Sequence, residues 1–211
     1  MGRRITATTA ALAAILVALA SAGCAPAATR AETATPTPTS DAIVHTIASQ
    51  VDEELRDELL QLLEEDQAER LEGADFGGDA LRTARLAEIL AEHGWPSYSL
   101  VGEEAEDAAW AIAQHSDQDL ALQQVALDYL TAAVAADDAS PGNLAYLTDR
   151  VAVNAGEPQT YGTQIACGDD GPAPVTPIAD EESVDERRAD AGLPPLADYY
   201  AEMDAICAEE F

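Results

Sequence analysis

From Asp41 onward the apolar residues of this chain return every three to four positions, and that period decides most of what it can become. Ile43, Ile47, Val51, Leu55, Leu59 and Leu62 or Leu63 share one helical side, whereas a half-buried strand needs a period of two. Gly73 and the Gly77-Gly78 pair interrupt the run, and Asp79 stands where a second helix needs a cap, with Leu81, Leu86, Ile89 and Leu90 facing inward. A third helix is expected from about Gly102 to His115. A fourth starts near Ser116 or Asp117 and carries Leu120, Leu127, Leu130 and Val134. Ser140-Pro141 opens a fifth, a capping residue followed by proline in the first turn. Leu144, Leu147 and Val151 line one face of it, and Gly156 closes it. Helicity returns over about residues 180–191, stops at Gly192 and Pro194-Pro195, and resumes to the C-terminus. Aromatic residues are only 5% of the chain, alanine is abundant, and hydrophobic residues reach 47%. Small side chains in quantity suit closely packed helices rather than a β-sandwich. The expectation is a mainly α single domain, residues 41–211, of about six or seven helices.

One stretch breaks the period. Residues 157–178 are rich in Pro, Gly, Thr and Asp. They read as an irregular segment or a short β-hairpin, with residues 161–166 and 173–178 pairing around Gly168-Asp169-Asp170-Gly171.

The N-terminus reads as an address. Arg3 and Arg4 precede an uncharged apolar run, and Ser21-Ala22-Gly23-Cys24 follows it. This is the layout of a secretory signal, residues 1–23, and the small residues before Cys24 resemble the box read by lipoprotein signal peptidase. Such a cysteine receives diacylglycerol and becomes the new N-terminus. The expected location is extracytoplasmic, with the membrane as a partner through the N-terminal lipid. The rival is an uncut spanning helix. The run sits at the short edge of the roughly 17–25 residues a span needs, and no basic stop-transfer cluster follows. Arg3-Arg4 leaves both general and twin-arginine export open. Residues 24–40 carry the lipidated cysteine and a Pro/Thr/Ala tether, which at the extended spacing of proline-rich chain reaches about 50 Å. Its threonines are candidate O-glycosylation positions.

Charge excludes one class of partner. There are 40 acids against 10 basic residues, all of them arginine, for a formal charge of −30. Loss of Arg3 and Arg4, with no acid lost beside them, takes −30 to −32. Such a body repels phosphate backbones and anionic headgroups, so no nucleic acid is expected. Solubility and adaptation to salt both fit the acidity.

With Cys24 lipidated, Cys167 and Cys207 remain. An even pair in an exported protein points to a disulfide, here closing a loop of about 40 residues and contributing on the order of 4 kcal/mol. A metal pair and a catalytic thiol are the alternatives. Neither cysteine has a CxxC partner, so no metal and no cofactor are expected.

Three constellations could carry chemistry. His93-Gly94-Trp95-Pro96 is explained locally as a helix stop, with Trp95 as a core anchor; functionally, His93 could be a ligand or general base. Gln114-His115-Ser116-Asp117 lies at a helix junction, where His115 suits a C-terminus and Ser116 or Asp117 a cap. The sharper reading joins His115, His93 and an acid such as Asp117 as an acid–base or metal site, though no HExxH spacing exists. Third, Arg150 sits in an apolar context before Pro158-Gln159-Thr160-Tyr161-Gly162-Thr163-Gln164. Its plain role is a part-buried ion pair with Asp149 or a distant acid. Alternatively Gln159, Tyr161, Thr163 and Gln164 line a polar pocket in which Arg150 receives a carboxylate or phosphate. A serine nucleophile has no support, since GxSxG is absent, and Gly77-Gly78 makes no phosphate loop in a chain without lysine.

Taken together, His93-Gly-Trp-Pro96, Val101-Gly102, Ala109-Trp110, Gln114-His115 with Asp117, residues 144–151, Gly156, Pro158-Gln159, Tyr161-Gly-Thr-Gln164, Pro177-Ile178 with Asp180, Val184-Asp185 with Arg187-Arg188, and Gly192-Leu193 resemble a bacterial family, domain of unknown function 6624. Order and spacing agree over about residues 81–200. The resemblance brings no activity with it. It implies that His93, His115, Arg150 and the 161–164 stretch converge on one site, and the two cysteines lie outside its pattern. Three functions follow as hypotheses: a binding module for an envelope ligand or protein, with a pocket around Arg150, Tyr161 and Gln164; a hydrolase-type enzyme using His93 or His115; and a structural lipoprotein without a ligand site.

Overall fold

A computed structural model describes residues 51–72, 77–168 and 171–210. The expectations for the signal segment, Cys24, the tether, Ile43, Ile47, Gly73 and the Asp169-Asp170 turn lie outside these residues. The elements run α1 (Glu53–Glu72), α2 (Asp79–His93), α3 (Tyr98–Val101), α4 (Glu103–Gln114), α5 (Leu120–Ala135), α6 (Pro141–Asn154), β1 (Ile165–Gly168), β2 (Gly171–Pro174), a 3-10 turn (Glu181–Ser183), α7 (Val184–Asp190) and α8 (Leu196–Glu210). The fold is mainly α with one short antiparallel hairpin, as the apolar period required. The helix beyond the expected count is α3, a single turn too short to show a period of its own.

Helix α4 is the hub. It packs on α1, α2, α3, α5 and α6. Ala105, Ala108, Ala109 and Ala113 are completely buried along it, and Leu59, Leu86, Ile89, Leu130 and Leu147 surround them. Alanine lets four longer helices approach one axis closely, so the larger aliphatic side chains of those helices fill the space between. Local signals set the ends. The Asp52 carboxylate accepts the Leu55 N–H at 3.1 Å to open α1. Ser140 accepts from the Asn143 N–H at 3.1 Å before Pro141 to open α6.

Several expectations are corrected. Leu81 is 76% exposed. The inward positions of α2 are Asp79, Arg82, Thr83, Leu86, Ile89 and Leu90, so the period holds, but the first turns bury an ion-paired arginine instead of a leucine. Asp79 makes no capping bond; its carboxylate faces Arg82 at 2.7 Å. The cap of α5 is Asp119, which accepts from the Leu122 N–H at 3.0 Å. Ser116 and Asp117 fall in the preceding turn, and Leu120, in the first turn, is 49% exposed. The helical stretch after Asp180 is split into the 3-10 turn and α7.

The hairpin is shorter than expected and closes in on its turn, the first strand starting later, at Ile165, and the second ending earlier, at Pro174. Ile165 pairs with Pro174, Ala166 with Ala173 and Cys167 with Pro172. Residues 161–164 do not start the first strand, because their backbone donors are taken elsewhere: Tyr161 and Thr163 by Asp149, Gln164 by the Gln159 side chain. Gly162 has φ +68, and a Cβ there would lie 2.6 Å from Ile178 Cδ1, so glycine is required twice over. Cys167 and Cys207 form a disulfide that ties the hairpin to α8.

Candidate functional site

Residues Glu106, Trp110 and Gln114 recur every four positions and so share one side of α4. They face α6, which answers with Asn143, Tyr146 and Arg150. At the entrance of α6, Asn143 Nδ2 donates to Glu106 Oε2 at 3.0 Å and to Asp107 Oδ1 at 2.7 Å. Trp95, the aromatic of the helix-stop motif, donates its indole N–H to Glu106 at 3.0 Å. Glu106 has no exposed surface, and burial pushes its pKa up to about 7, against the pull of those donors. One turn on, the Trp110 and Tyr146 rings meet edge to face with centroids 5.9 Å apart.

The far end of this seam is polar and reaches solvent. Arg150 Nε donates to Asp117 Oδ1 at 2.9 Å, and Arg150 Nη2 pairs with Asp117 Oδ2. Asn154 donates to the same carboxylate at 2.8 Å and Arg150 Nη1 to Gln164 Oε1 at 3.3 Å. Burial opposes ionisation of Asp117, but the Arg150 and Asn154 hydrogen bonds outweigh it and hold the pKa below its ordinary value. The distant acid foreseen for Arg150 is therefore Asp117, and its fork is already filled by a carboxylate of the chain itself.

The third wall is the 158–164 segment, and Asp149 builds it. Asp149 is fully buried beside Arg150 in sequence but serves other partners. It accepts the N–H groups of Thr160 at 2.6 Å, Tyr161 at 3.0 Å and Thr163 at 2.9 Å, and the Thr163 hydroxyl at 3.0 Å. Gln159 is buried too, donating to Gln164 O and Thr176 O, both at 3.0 Å. Gln159 and Thr163 thus shape the backbone of the wall. Gln164 alone of the expected pocket residues turns a side-chain oxygen to Arg150. Tyr161 contributes its backbone, receiving Arg188 Nη1 on its carbonyl at 2.9 Å. Tyr199 braces the wall, its hydroxyl donating to Thr163 O at 3.0 Å and its ring lying 6.2 Å from that of Tyr146.

The histidines do not join this seam. His93 ends α2 beside Glu92, in a cleft of about 210 Å³ lined by Asp52, Glu54, Leu55, Glu58 and Arg85. His115 faces the other way, toward α1: its Nδ1 lies 3.0 Å from Asp66 Oδ1 and 3.1 Å from Arg70 Nε. Burial, with Arg70 beside it, holds the imidazole below its ordinary pKa despite Asp66. Arg70 also reaches Asp79, at the first turn of α2. His93 and His115 thus attend opposite ends of that helix, about 20 Å apart at 1.5 Å per residue. Of the residues that the resemblance implies to converge, the structure joins Arg150 to Gln164 and leaves both histidines elsewhere, and it adds Asp117 to the pair.

Two polar atoms in the seam are unserved. Trp110 Nε1 and Gln114 Oε1 are buried and have no hydrogen-bond partner. The same is true of Thr176 Oγ1 and of Arg188 Nη2, whose guanidinium stands 5.2 Å over the Tyr199 ring. A buried group without a partner costs about 1–3 kcal/mol, so these positions invite an explanation. Sequence reasoning passed over Trp110 and Gln114 as site residues. The available signal was a stripe of polar-tipped residues at four-residue spacing on a helix whose other buried residues are alanines and Ile112. Among the described residues no group of three or more His, Cys, Asp or Glu is placed to hold a metal ion.

No curated protein and no solved structure matches the chain. Residues 47–208 match the Family of unknown function (DUF6624), a span that takes in α1 as well as the motifs around the seam and both disulfide cysteines, and the chain belongs to that family.

Proposed function

We propose that this protein is an exported, lipid-anchored binding module of the cell envelope, and that the α4–α6 seam is its ligand site. The single observation that carries the site is the pair of buried, unpartnered atoms Trp110 Nε1 and Gln114 Oε1, one turn apart on the same helix face. Gln123 Nε2 links this face to the Arg150–Asp117 pair, donating to Gln114 O and to Asp117 Oδ1, both at 3.4 Å, and the side chains of that pair are 30% and 40% exposed. Hydrogen-bonding groups without partners, aromatic edges and a rigid backbone wall are what a small polar ligand needs. Export and anchoring rest on the residues around Cys24.

Ligand screening by thermal shift tests the site. Ligands that stabilise the protein should lose that effect in Trp110→Phe and Gln114→Leu. Stabilisation unchanged in both variants places the ligand elsewhere and overturns the reading. The anchor is tested apart: Cys24→Ala should move the protein from the membrane fraction to the soluble one.

A further inference from the structure

Resting on that reading of the seam, we infer that its ligand is a neutral saccharide, one of whose hydroxyl groups bridges Trp110 and Gln114. Trp110 Nε1 is a donor and Gln114 Oε1 an acceptor, so the group between them must accept one hydrogen bond and donate another. Carboxylates and phosphates only accept, and would set an oxygen lone pair against the Gln114 oxygen. Ammonium groups only donate, and would leave the indole N–H unserved. A hydroxyl does both from one atom. Residues 110 and 114 are i,i+4 neighbours, so their side chains leave one helix face about 5–6 Å apart.

Charge points the same way. The exposed guanidinium of the seam, Arg150, is closed by Asp117, while Arg188 stands behind the wall, over Tyr199 and bound to the Tyr161 and Pro194 carbonyls. The chain around it carries −30, which repels an anionic ligand further. The rest of the site suits a ring studded with hydroxyls. Asp117 and Gln164 supply side-chain oxygens at the solvent end, and the Trp110–Tyr146 edge-to-face pair gives an apolar wall for the C–H face of a sugar.

The test uses the full-length protein labelled with ¹⁵N, titrated with glucose, N-acetylglucosamine and cellobiose, and in parallel with glucuronate, glucosamine and glycine. The chain has two tryptophans, so the indole N–H signal of Trp110 is assigned by its loss in Trp110→Phe. A neutral sugar should move that signal, with affinity at least tenfold weaker in Gln114→Leu and little competition from the charged probes. If glucuronate or glycine moves the signal with the same dependence on Gln114 and the neutral sugars do not, the saccharide class is overturned while the ligand site stands. If no probe moves it, the pair takes none of these ligands and both readings fall.

Discussion

The two polar regions buried against α4 settle their charges differently. Between α1, α2 and the end of α4 lies a knot of acids and arginines. Asp66, with no exposed surface, faces Arg70 at 2.9 Å, Arg82 at 3.7 Å and His115 at 3.0 Å. Asp79 takes Arg70 and Arg82, and Glu69 takes Arg82 at 2.8 Å. Every carboxylate there has an arginine, and Thr83 and Ser116 pair at 3.0 Å beneath it. On the opposite side of the same helix, the α4–α6 seam pairs its charges but leaves an indole N–H and an amide oxygen unserved. The knot is satisfied throughout, whereas the seam and the wall behind it are not: Thr176 Oγ1 and Arg188 Nη2 lack partners as well. That contrast separates polar burial that holds helices together from polar burial that the proposed ligand would complete.

The largest expected effect breaks the knot. Asp66→Asn leaves Arg82 buried with less countercharge and should cost about 3–5 kcal/mol in urea unfolding; a loss below about 1 kcal/mol would mean the knot is not the closed ion cluster described. Next is pH, which sets the regions against each other. Burial of Glu106 raises its pKa from 4.5 to about 7. The folded protein then binds more protons than the unfolded chain between those values, and its stability falls as pH rises through that window. The ceiling is about 3 kcal/mol. Asp66 and Asp117 are shifted down, so their contribution is present above the ordinary carboxylate range and lost only as pH drops through their folded values. Glu106→Gln should abolish the decline between pH 5 and 8 while keeping the acid-side loss. An unchanged decline in that variant would assign it to another group.

Smaller effects sharpen the seam. Asp117→Asn, at a pair open to water, should cost only about 1 kcal/mol, well short of Asp66→Asn. Equal losses would erase the distinction between the regions. Gln114→Leu should change stability by less than about 1 kcal/mol, since it removes an oxygen that makes no hydrogen bond in exchange for apolar contact. A loss of 2 kcal/mol or more would show that the oxygen has a partner in solution.

Much of the frame was legible from residues alone. Ser140-Pro141 marked the start of α6, and Gly94 after His93 marked the end of α2, because caps and stops act within a few residues. The pairing of Cys167 with Cys207 was foreseeable from parity. Register in the 157–178 segment was not. Asp149, eleven residues before the segment's Thr160, takes the donors that the first strand would have used. Nothing in local composition announces such a claim. Leu81 failed for the same kind of reason: the helix kept its period, but Arg82 found acids on α1 and took the buried side.

The sequence by itself determined the class of fold, the placement of most helices, the strong acidity and the family pattern, because these depend on period, composition and short-range order. Only the tertiary structure decided which buried polar group meets which. It sent Asp117 to Arg150, His115 to Asp66 and Asp149 to the 158–164 backbone, and it left Trp110 and Gln114 without partners. A hydrogen bond is made over about 3 Å between groups tens of residues apart in the chain, so the residue types present cannot say who pairs until packing has brought the helices together.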